Sequence, residues 1–291
     1  MNKLLTLALS LPLVACVVGS DTPGPGDDGT GPGTGPGTGP GTGPGTSSGD
    51  HITADTTWTG TMDVTKQLTV SHGVKLTIAE GTTVRLASGV GISVEGIVDV
   101  QGKKGSPVHL SPATAGDHHY GFIVPANGEL KMAYGVQVGG GISVNGGKIT
   151  VSDTLMSQAS GDFLVVGSGT VDVSYSAIGL EPGAGTDTTH CDMHFGATNG
   201  SLISVTHSNI STSSYGIMLY GGPGVNLTYN NWFSNEIDVD TSPGAQADLS
   251  YGWFAKATPA AGSGATLIYT NPSATRLPAA TTDPVKGTGP R

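Results

Sequence analysis

The segment KITVSDTLM at residues 148–156 returns as TVDVSYSAI at 170–178 and as LISVTHSNI at 202–210, and VNLTYNNW at 225–232 is a shorter copy. Within each copy apolar and polar residues alternate, which is the period-two pattern of a half-buried β-strand. One position is filled in turn, at offsets of 22, 32 and 22 residues, by Asp153, Tyr175, His207 and Tyr229. A unit of about 22 residues with short strands is typical of one rung of a solenoid.

Stacked rungs place equivalent side chains above one another, because neighbouring strands lie about 4.8 Å apart. We therefore predict an all-β parallel solenoid of about eight or nine rungs over residues 51–257. The alignment predicts an inward apolar column made of Met156, Ile178, Ile210 and Trp232. It also predicts an amide ladder at a turn, formed by Asn209 and Asn231.

The composition agrees with strands and turns and disfavours helices. Glycine accounts for 48 of the 291 residues, and charged residues make up 12% of the chain, against about 25% in an ordinary soluble domain. The formal net charge is −10. That sign repels phosphate backbones, so nucleic acid is not an expected partner.

The N-terminus indicates export. A positively charged start and a short apolar run precede LVAC at residues 13–16, which resembles the lipobox of bacterial lipoproteins. By that resemblance residues 1–15 are a signal peptide, the mature chain begins at a lipidated Cys16, and Val17 favours the outer membrane. The alternative is an ordinary secretory peptide that contains a cysteine. We expect the membrane to be a partner through this anchor, at the cell surface or the periplasmic face.

Two low-complexity segments flank the predicted solenoid. Residues 16–50 comprise the lipidated cysteine and a linker in which GPGT repeats from Gly31 to Thr46. This Gly/Pro/Thr tether has too few apolar side chains to offset the entropy of ordering, so we expect it to be disordered. Residues 258–291 are expected to form a C-terminal cap or tail that is partly disordered.

The run LTIAEGTTVRLASGVGISVEGIVDVQGKKGSPVHL at residues 76–110 adds upstream rungs of less regular period. From there onward the chain resembles right-handed parallel β-helix proteins of the pectin-lyase-like superfamily, especially lipoproteins of Gram-negative bacteria. The resemblance implies a right-handed β-helix. It leaves the activity open, because this fold hosts lyases, hydrolases, epimerases, adhesins and stalks.

The catalytic motifs of the superfamily do not occur in this chain. Its lyases use an Arg or Lys base beside carboxylates that hold Ca²⁺, whereas Lys131 and Lys148 have no obvious carboxylate cluster nearby in the repeat. Outside the signal segment and the tail, the one arginine is Arg85. The NTD and GHG motifs of the hydrolases are also missing. We expect these lysines to be ordinary solvated side chains.

One insertion, at residues 179–194, interrupts the repeat. Ile178 and Phe195 are 17 positions apart, where other rungs place seven, which indicates ten additional residues. Insertions on a solenoid emerge as loops, often on its binding face. The loop ends in four candidate metal ligands of the residue types that bind zinc in proteins, namely His190, Cys191, Asp192 and His194.

The insertion and the rung before it supply the candidate catalytic residues, which are Asp192 and His194 in the insertion and Asp162 in the preceding rung. In the repeat alignment Asp162 matches His194 one rung later, so the alignment predicts that this carboxylate and this imidazole lie close enough for contact. Zn²⁺ is favoured over Ca²⁺ here because thiolate and imidazole are softer ligands than carboxylates. The alternative is a structural cross-brace in which Cys191 is a small buried side chain.

A second histidine pair, His118 and His119, precedes Tyr120. Adjacent residues of a strand point to opposite sides. We therefore expect one inward and one outward side chain instead of a second pair of ligands.

These patterns favour a polysaccharide-binding or structural, adhesive surface module anchored in the outer membrane. Polar ladders along a parallel sheet match sugar hydroxyls, and stacking surface is expected from Tyr175, Tyr215, Tyr220 and Tyr229. The alternative is a divergent polysaccharide lyase or glycoside hydrolase centred on residues 179–194. A third interpretation is an adhesin or motility stalk that contacts cell-envelope proteins. Convergence of the loop residues around one cleft would favour chemistry.

Overall fold

The computed structural model describes residues 51–179, 190–196, 201–221, 224–262, 267–278 and 289–290. Within these residues the chain forms short parallel strands and no helix. The predicted signal peptide, Cys16, the tether and residues 180–189 of the insertion lie outside the described residues. A helix of the length and hydropathy needed to cross a membrane does not occur in the described part of the chain.

Each rung of the solenoid, which we call a coil from here on, contributes one strand to each of three rows. We number these rows first, second and third in chain order. The described strands are, in chain order, β1 (His51–Ile52), β2 (Thr56–Trp58), β3 (Thr61–Val64), β4 (Leu68–Val70), β5 (Lys75–Ala79), β6 (Thr83–Leu86), β7 (Gly91–Val94), β8 (Ile97–Gln101), β9 (Val108–Pro112), β10 (Gly121–Pro125), β11 (Glu129–Ala133), β12 (Gly135–Val138), β13 (Ile142–Ser152), β14 (Leu155–Ser157), β15 (Leu164–Ser174), β16 (Ala177–Ile178), β17 (Cys191–Phe195), β18 (Leu202–Thr206), β19 (Asn209–Ser211), β20 (Tyr215–Leu219), β21 (Val225–Asn226), β22 (Asn231–Phe233), β23 (Ile237–Thr241), β24 (Ala247–Asp248), β25 (Trp253–Phe254) and β26 (Leu267–Ile268).

The rows stack in parallel from one coil to the next. The third row is a nine-stranded sheet that runs from β3 to β25. The first row runs from β1 through β17 to β23, and the second row runs from β2 through β18 to β26. These two rows join into one 17-stranded sheet, because β13 and β15 are long enough to pass through both. About nine coils result, which confirms the predicted all-β solenoid and its number of rungs. Paired strands extend as far as Ile268, since β26 pairs with β24.

The predicted apolar column is confirmed. Met156 pairs with Ile178, Ile178 with Ile210, and Ile210 with Trp232, and all four side chains are fully buried. The amide ladder is present as well, because Asn231 Nδ2 donates to Asn209 Oδ1 at 2.8 Å. The two residues begin strands β19 and β22, however, instead of lying in a turn as predicted. Period-two alternation therefore fixed the register correctly, since a slip of one residue would expose the column.

The corner between the second and third rows has a left-handed backbone in seven successive coils. Its φ values lie between 50° and 62° at Tyr134, Asp153, Tyr175, His207, Tyr229, Tyr251 and Asn271. This conformation costs a residue with a Cβ about 1–2 kcal/mol. Ring stacking from coil to coil opposes that cost, with centroid separations of 5.1, 4.8 and 4.9 Å along Tyr175, His207, Tyr229 and Tyr251. We call these four residues the aromatic corner.

The adjacent histidines separate as predicted. His119 is buried, at 4% exposure, whereas His118 is exposed. His119 accepts the Gly121 N–H at Nδ1 (3.0 Å) and lies 2.9 Å from Val138 O through Nε2. The buried His119 side chain therefore links the start of β10 to the end of β12 through these two contacts.

Candidate metal centre

Four potential metal ligands converge where the chain re-enters the solenoid after the insertion. His190 immediately precedes β17, and Cys191 and His194 lie within that strand. Asp162 lies at the corner before β15 in the preceding coil. One ligand atom from each of these residues lies within 4.8 Å of the others. The described residues thus contain the convergence that the sequence left open.

The contacts centre on the Asp162 carboxylate. Its Oδ1 lies 2.6 Å from His190 Nδ1 and accepts the Cys191 thiol at 2.9 Å, and its Oδ2 lies 3.2 Å from His194 Nδ1. Cys191 Sγ is 3.3 Å from His190 Nδ1. Zinc ligands lie about 2.0–2.3 Å from the metal, so a tetrahedral site needs ligand separations of about 3.3–3.8 Å. The contacts of Asp162 with His190, Cys191 and His194, at 2.6, 2.9 and 3.2 Å, would have to widen for an ion to lie between the ligands.

The electrostatics depend on burial and on these hydrogen bonds. Burial alone would raise the pKa of the Asp162 carboxyl, but bonds from His194, Cys191 and His190 outweigh it and lower that pKa to about 2. Burial, followed by the nearby Asp162 charge, raises the pKa of the Cys191 thiol far above its usual range. The metal-free cluster therefore holds a carboxylate anion beside a protonated thiol.

The observed register corrects two details of the sequence alignment. Asp162 does not align with His194. The residue of β15 that pairs with His194 is Val165, which stands 29 positions earlier in the sequence. The second row has an offset of 32, because three more residues lie between β17 and β18 than between the matching parts of β15. The Asp162–His194 contact therefore crosses the corner diagonally.

The insertion is also shorter than the sequence indicated. Met193, not Phe195, is the residue equivalent to Ile217 in the next coil. Met193 stands 15 positions after Ile178, and Ile217 stands seven after Ile210, so eight residues are added instead of ten.

Asp192 is not one of the four converging ligands, although it lies between two of them. Its side chain is fully buried. The roles of Asp192 as ligand or catalytic residue stay predictions, whereas Asp162 and His194 both lie at the cluster. Of the three candidate catalytic residues, Asp162 and His194 therefore lie in contact with each other.

The four candidate binding tyrosines divide into two groups. Tyr215 and Tyr220 border the cluster, with ring centroids 6.1 Å from His190 and 5.5 Å from His194 respectively. Burial and the adjacent Asp240 raise the pKa of Tyr220 to about 12.

Tyr175 and Tyr229 lie at the aromatic corner instead. The Tyr229 ring is nearly parallel to those of His207 and Tyr251, at interplanar angles of 7° and 8°. Its faces are thus covered by its neighbours. A sugar that contacted this corner would meet ring edges and hydroxyls.

The lysines considered for lyase chemistry do have a carboxylate neighbour. Lys148 Nζ lies 3.1 Å and Lys131 Nζ 3.5 Å from Glu129, on the outer face of the second row. The sequence missed this pairing because Glu129 and Lys148 come from adjacent coils. One carboxylate shared by two exposed lysines forms a surface ion-pair network, which contributes little stability.

Two concave regions adjoin these features. A cleft of about 150 Å³ beside the cluster is lined by His119, Tyr120, Ser143, Asp162 and Val165, among others. A groove of about 380 Å³ lies farther along the second row and is lined by Thr170, Asp172, Leu202, Ser204 and neighbouring residues. Sequence reasoning missed the groove, although Asp172 and Ser204 occupy equivalent positions in two of the quoted copies.

Comparison with protein-family models, curated proteins and solved structures gives no match to this chain. Function must therefore be argued from the site itself.

Proposed function

We propose that this chain is a metal-binding β-solenoid module of the bacterial cell envelope. The site formed by Asp162, His190, Cys191 and His194 binds Zn²⁺ or a similar soft divalent metal ion. The observation that carries the proposal is the convergence of four different ligand atoms within 4.8 Å, drawn from two adjacent coils.

The donor set selects the metal. One thiolate and two imidazoles suit Zn²⁺, whereas Ca²⁺ requires six to eight oxygen ligands. Asp162 is the single carboxylate of the four residues, so a calcium site would lack oxygen donors. Partial exposure of the His190 side chain, at 45%, gives the ion a route of entry from solvent.

Metal binding requires a proton to leave. The Cys191 thiol carries a raised pKa, but thiolate is the form that coordinates zinc. Formation of the zinc complex therefore releases the thiol proton. Calorimetry in two buffers with different ionisation enthalpies measures this release directly.

Metal analysis of the purified chain tests the proposal. We expect one zinc ion per chain, and an absorption band for thiolate bound to Co²⁺ after cobalt substitution. Cys191→Ser should abolish the band, and His190→Ala/His194→Ala should remove the metal.

His118→Ala is the matched control, because it removes an exposed histidine outside the cluster. It should retain full metal content. A wild-type chain that binds neither zinc nor cobalt, or a double variant that binds both equally well, would overturn the proposal.

A second proposed function is polysaccharide binding in the groove of the second row. Asp172 and Ser204 offer hydrogen-bonding groups beside Leu202, whose side chain is 72% exposed. Exposed apolar surface rimmed by polar groups is a feature of ligand sites. Glycans, or glycan-bearing envelope components, are the proposed ligands.

Glycan-array binding with Leu202→Glu tests this assignment. Binding should be lost in that variant and kept in Ile268→Glu, which places the same charge at another exposed apolar position on the last strand. Equal loss in both variants would point to a general charge effect and would refute the groove.

We also propose that the chain is a right-handed, pectin-lyase-like β-helix lipoprotein, anchored at Cys16 in the outer membrane. The LVAC motif and the glycine-rich linker before the solenoid support this location. Detergent fractionation of Cys16→Ser tests it: the variant should leave the membrane fraction. Unchanged retention with an uncleaved N-terminus would contradict the anchor.

A further inference from the structure

The C-terminal segment runs back along the outside of the third row. Ser273 N donates to Gly252 O at 2.9 Å, Leu277 contacts Asn231, and Gly289 packs against Ser208. These three contact points lie on successive coils toward the N-terminal end of the solenoid. We call residues 271–278 and 289–290 the strap.

The strap is held through its main chain. Leu277 N donates to Asn231 Oδ1 at 2.9 Å, and Asn231 Nδ2 donates to Leu277 O at 2.9 Å. The two residues are 46 positions apart in the sequence. A side-chain amide presents the same donor and acceptor as a peptide group, so this clamp recognises an extended chain whatever its side chains.

One side chain adds selectivity to the clamp. The guanidinium of Arg276 lies 4.2 Å from the centre of the Phe233 ring, in a cation–π contact. Phe233 is two residues beyond Asn231 on the same strand and the same outer face. The residue immediately before the clamped leucine therefore contacts this face through its side chain.

The strap covers a face that is open in earlier coils. Arg85 and His109 on β6 and β9 are exposed. In the coils beneath the strap, the corresponding outward residues Asn209, Asn231 and Phe233 are 1%, 0% and 3% exposed. The strap therefore lies over the outer face of β19 and β22, whereas the same face is open at β6 and β9 in the N-terminal coils.

We propose that the outer face of β19 and β22 is a peptide-binding site whose resident ligand is the strap. The site accepts in trans an extended peptide that carries an arginine immediately before the clamped residue. Arg276 and Leu277 supply that pair in cis, and the covalent connection gives the strap a high local concentration that a free peptide must overcome.

A peptide-binding assay on the full chain tests this proposal. The probe is a fluorescent octapeptide, NPSATRLP, with the sequence of residues 271–278. Leu277→Pro in the full chain removes the N–H that Asn231 binds and so frees the site. By anisotropy, the peptide should bind this variant at least about tenfold tighter than the wild-type chain.

Two substitutions locate the binding. Adding Asn231→Ala to Leu277→Pro should abolish it, whereas adding Asn226→Ala, an exposed asparagine of the second row, should leave it unchanged. A peptide in which alanine replaces the arginine should bind about fivefold more weakly. If the folded Leu277→Pro chain binds no better than wild type, or Asn231→Ala has no effect, the site is refuted.

Hydrogen exchange of the wild-type chain provides a test that needs no substitution. If the strap is a docked ligand, the Leu277 amide should exchange at least about 100-fold faster than the Trp232 amide, through local opening. Equal protection of both amides would show that the strap opens only with the whole solenoid and would overturn the proposal. Arg276→Ala is the milder variant if Leu277→Pro does not fold.

Discussion

Asp162 and His190 stand 28 positions apart in the sequence and in adjacent coils, yet Asp162 Oδ1 lies 2.6 Å from His190 Nδ1. The other carboxylate oxygen contacts His194. One side chain from the earlier coil therefore orients both imidazoles of the later coil. Such orientation reduces the entropy lost when a metal ion binds.

Asp162→Asn should weaken zinc binding by more than about 100-fold, because losing even an outer partner of a ligand costs about 10–100-fold. The substitution keeps the size of the side chain and removes its charge. Competition with a chromophoric chelator measures the affinity. Asp172→Asn, which alters a carboxylate of the next row, is the matched control. A similar loss of affinity in both variants would contradict a direct role for Asp162.

Zinc should also stabilise the fold, because the cluster joins two coils. A ligand that binds only the folded state at 100 times its Kd adds about 2.7 kcal/mol to the free energy of unfolding. Thermal unfolding with zinc, and again after chelation, measures the difference in Tm. The His190→Ala/His194→Ala chain should show no zinc-dependent shift; a shift equal to that of wild type would place the metal elsewhere.

Trp232→Ala should lower the free energy of unfolding by about 3–5 kcal/mol, as for other buried aromatic side chains. Trp232 is fully buried and stacks on Phe254 of the next coil, with ring centroids 6.5 Å apart. Chemical denaturation measures the change. Combining it with Ile210→Ala should give a non-additive loss, because these side chains pack directly, whereas Val84→Ala in a distant coil should add. Additivity in both pairs would contradict the stacked column.

Trp232→Phe provides a finer test of the same position. Among the described residues, Trp232 Nε1 has no hydrogen-bond partner, which costs a buried donor about 1–3 kcal/mol. Phenylalanine removes that donor while it keeps an aromatic ring in the column. We expect a loss of stability well under half of that caused by alanine.

The column was predictable from sequence because alternation and repetition act together. Met156 and Trp232 are separated by several coils, yet each is the apolar residue that ends its copy of the repeat. A period of two fixes which side chains face inward, and burial then penalises any other register. Local pattern and global fold agree at these positions.

The metal cluster was only partly predictable. The residue types His190, Cys191 and His194 were evident, but their convergence with Asp162 depends on how the chain crosses a corner. Because of the insertion, paired residues of these two coils stand 29 positions apart in the first row and 32 positions apart in the second row. Nothing in the sequence shows where these extra residues fall. The contact between Asn231 and Leu277 was not predictable, because Leu277 lies outside the repeat and no alignment pairs it with Asn231.

We expect His119 to make the fold sensitive to acid. Its Nδ1 accepts the Gly121 N–H at 3.0 Å, and Nε2 contacts Val138 O at 2.9 Å, so the neutral ring with a proton on Nε2 satisfies both contacts. A second proton on Nδ1 would face the Gly121 N–H. Burial, as the largest cause, lowers the pKa of His119 below its usual value.

Because this pKa is lower in the folded chain than the value of about 6.5 expected when unfolded, the unfolded state binds the proton first as pH falls. Stability should be full above about pH 6.5 and should decline as pH drops from there through the folded pKa. His119→Asn keeps an acceptor for Gly121 and does not titrate, so its free energy of unfolding should fall less over that range. Denaturant titrations between about pH 7.5 and 5 measure this, with His72→Asn as the exposed control. If His119→Asn and wild type lose stability in parallel, the buried imidazole is not the acid-sensitive group.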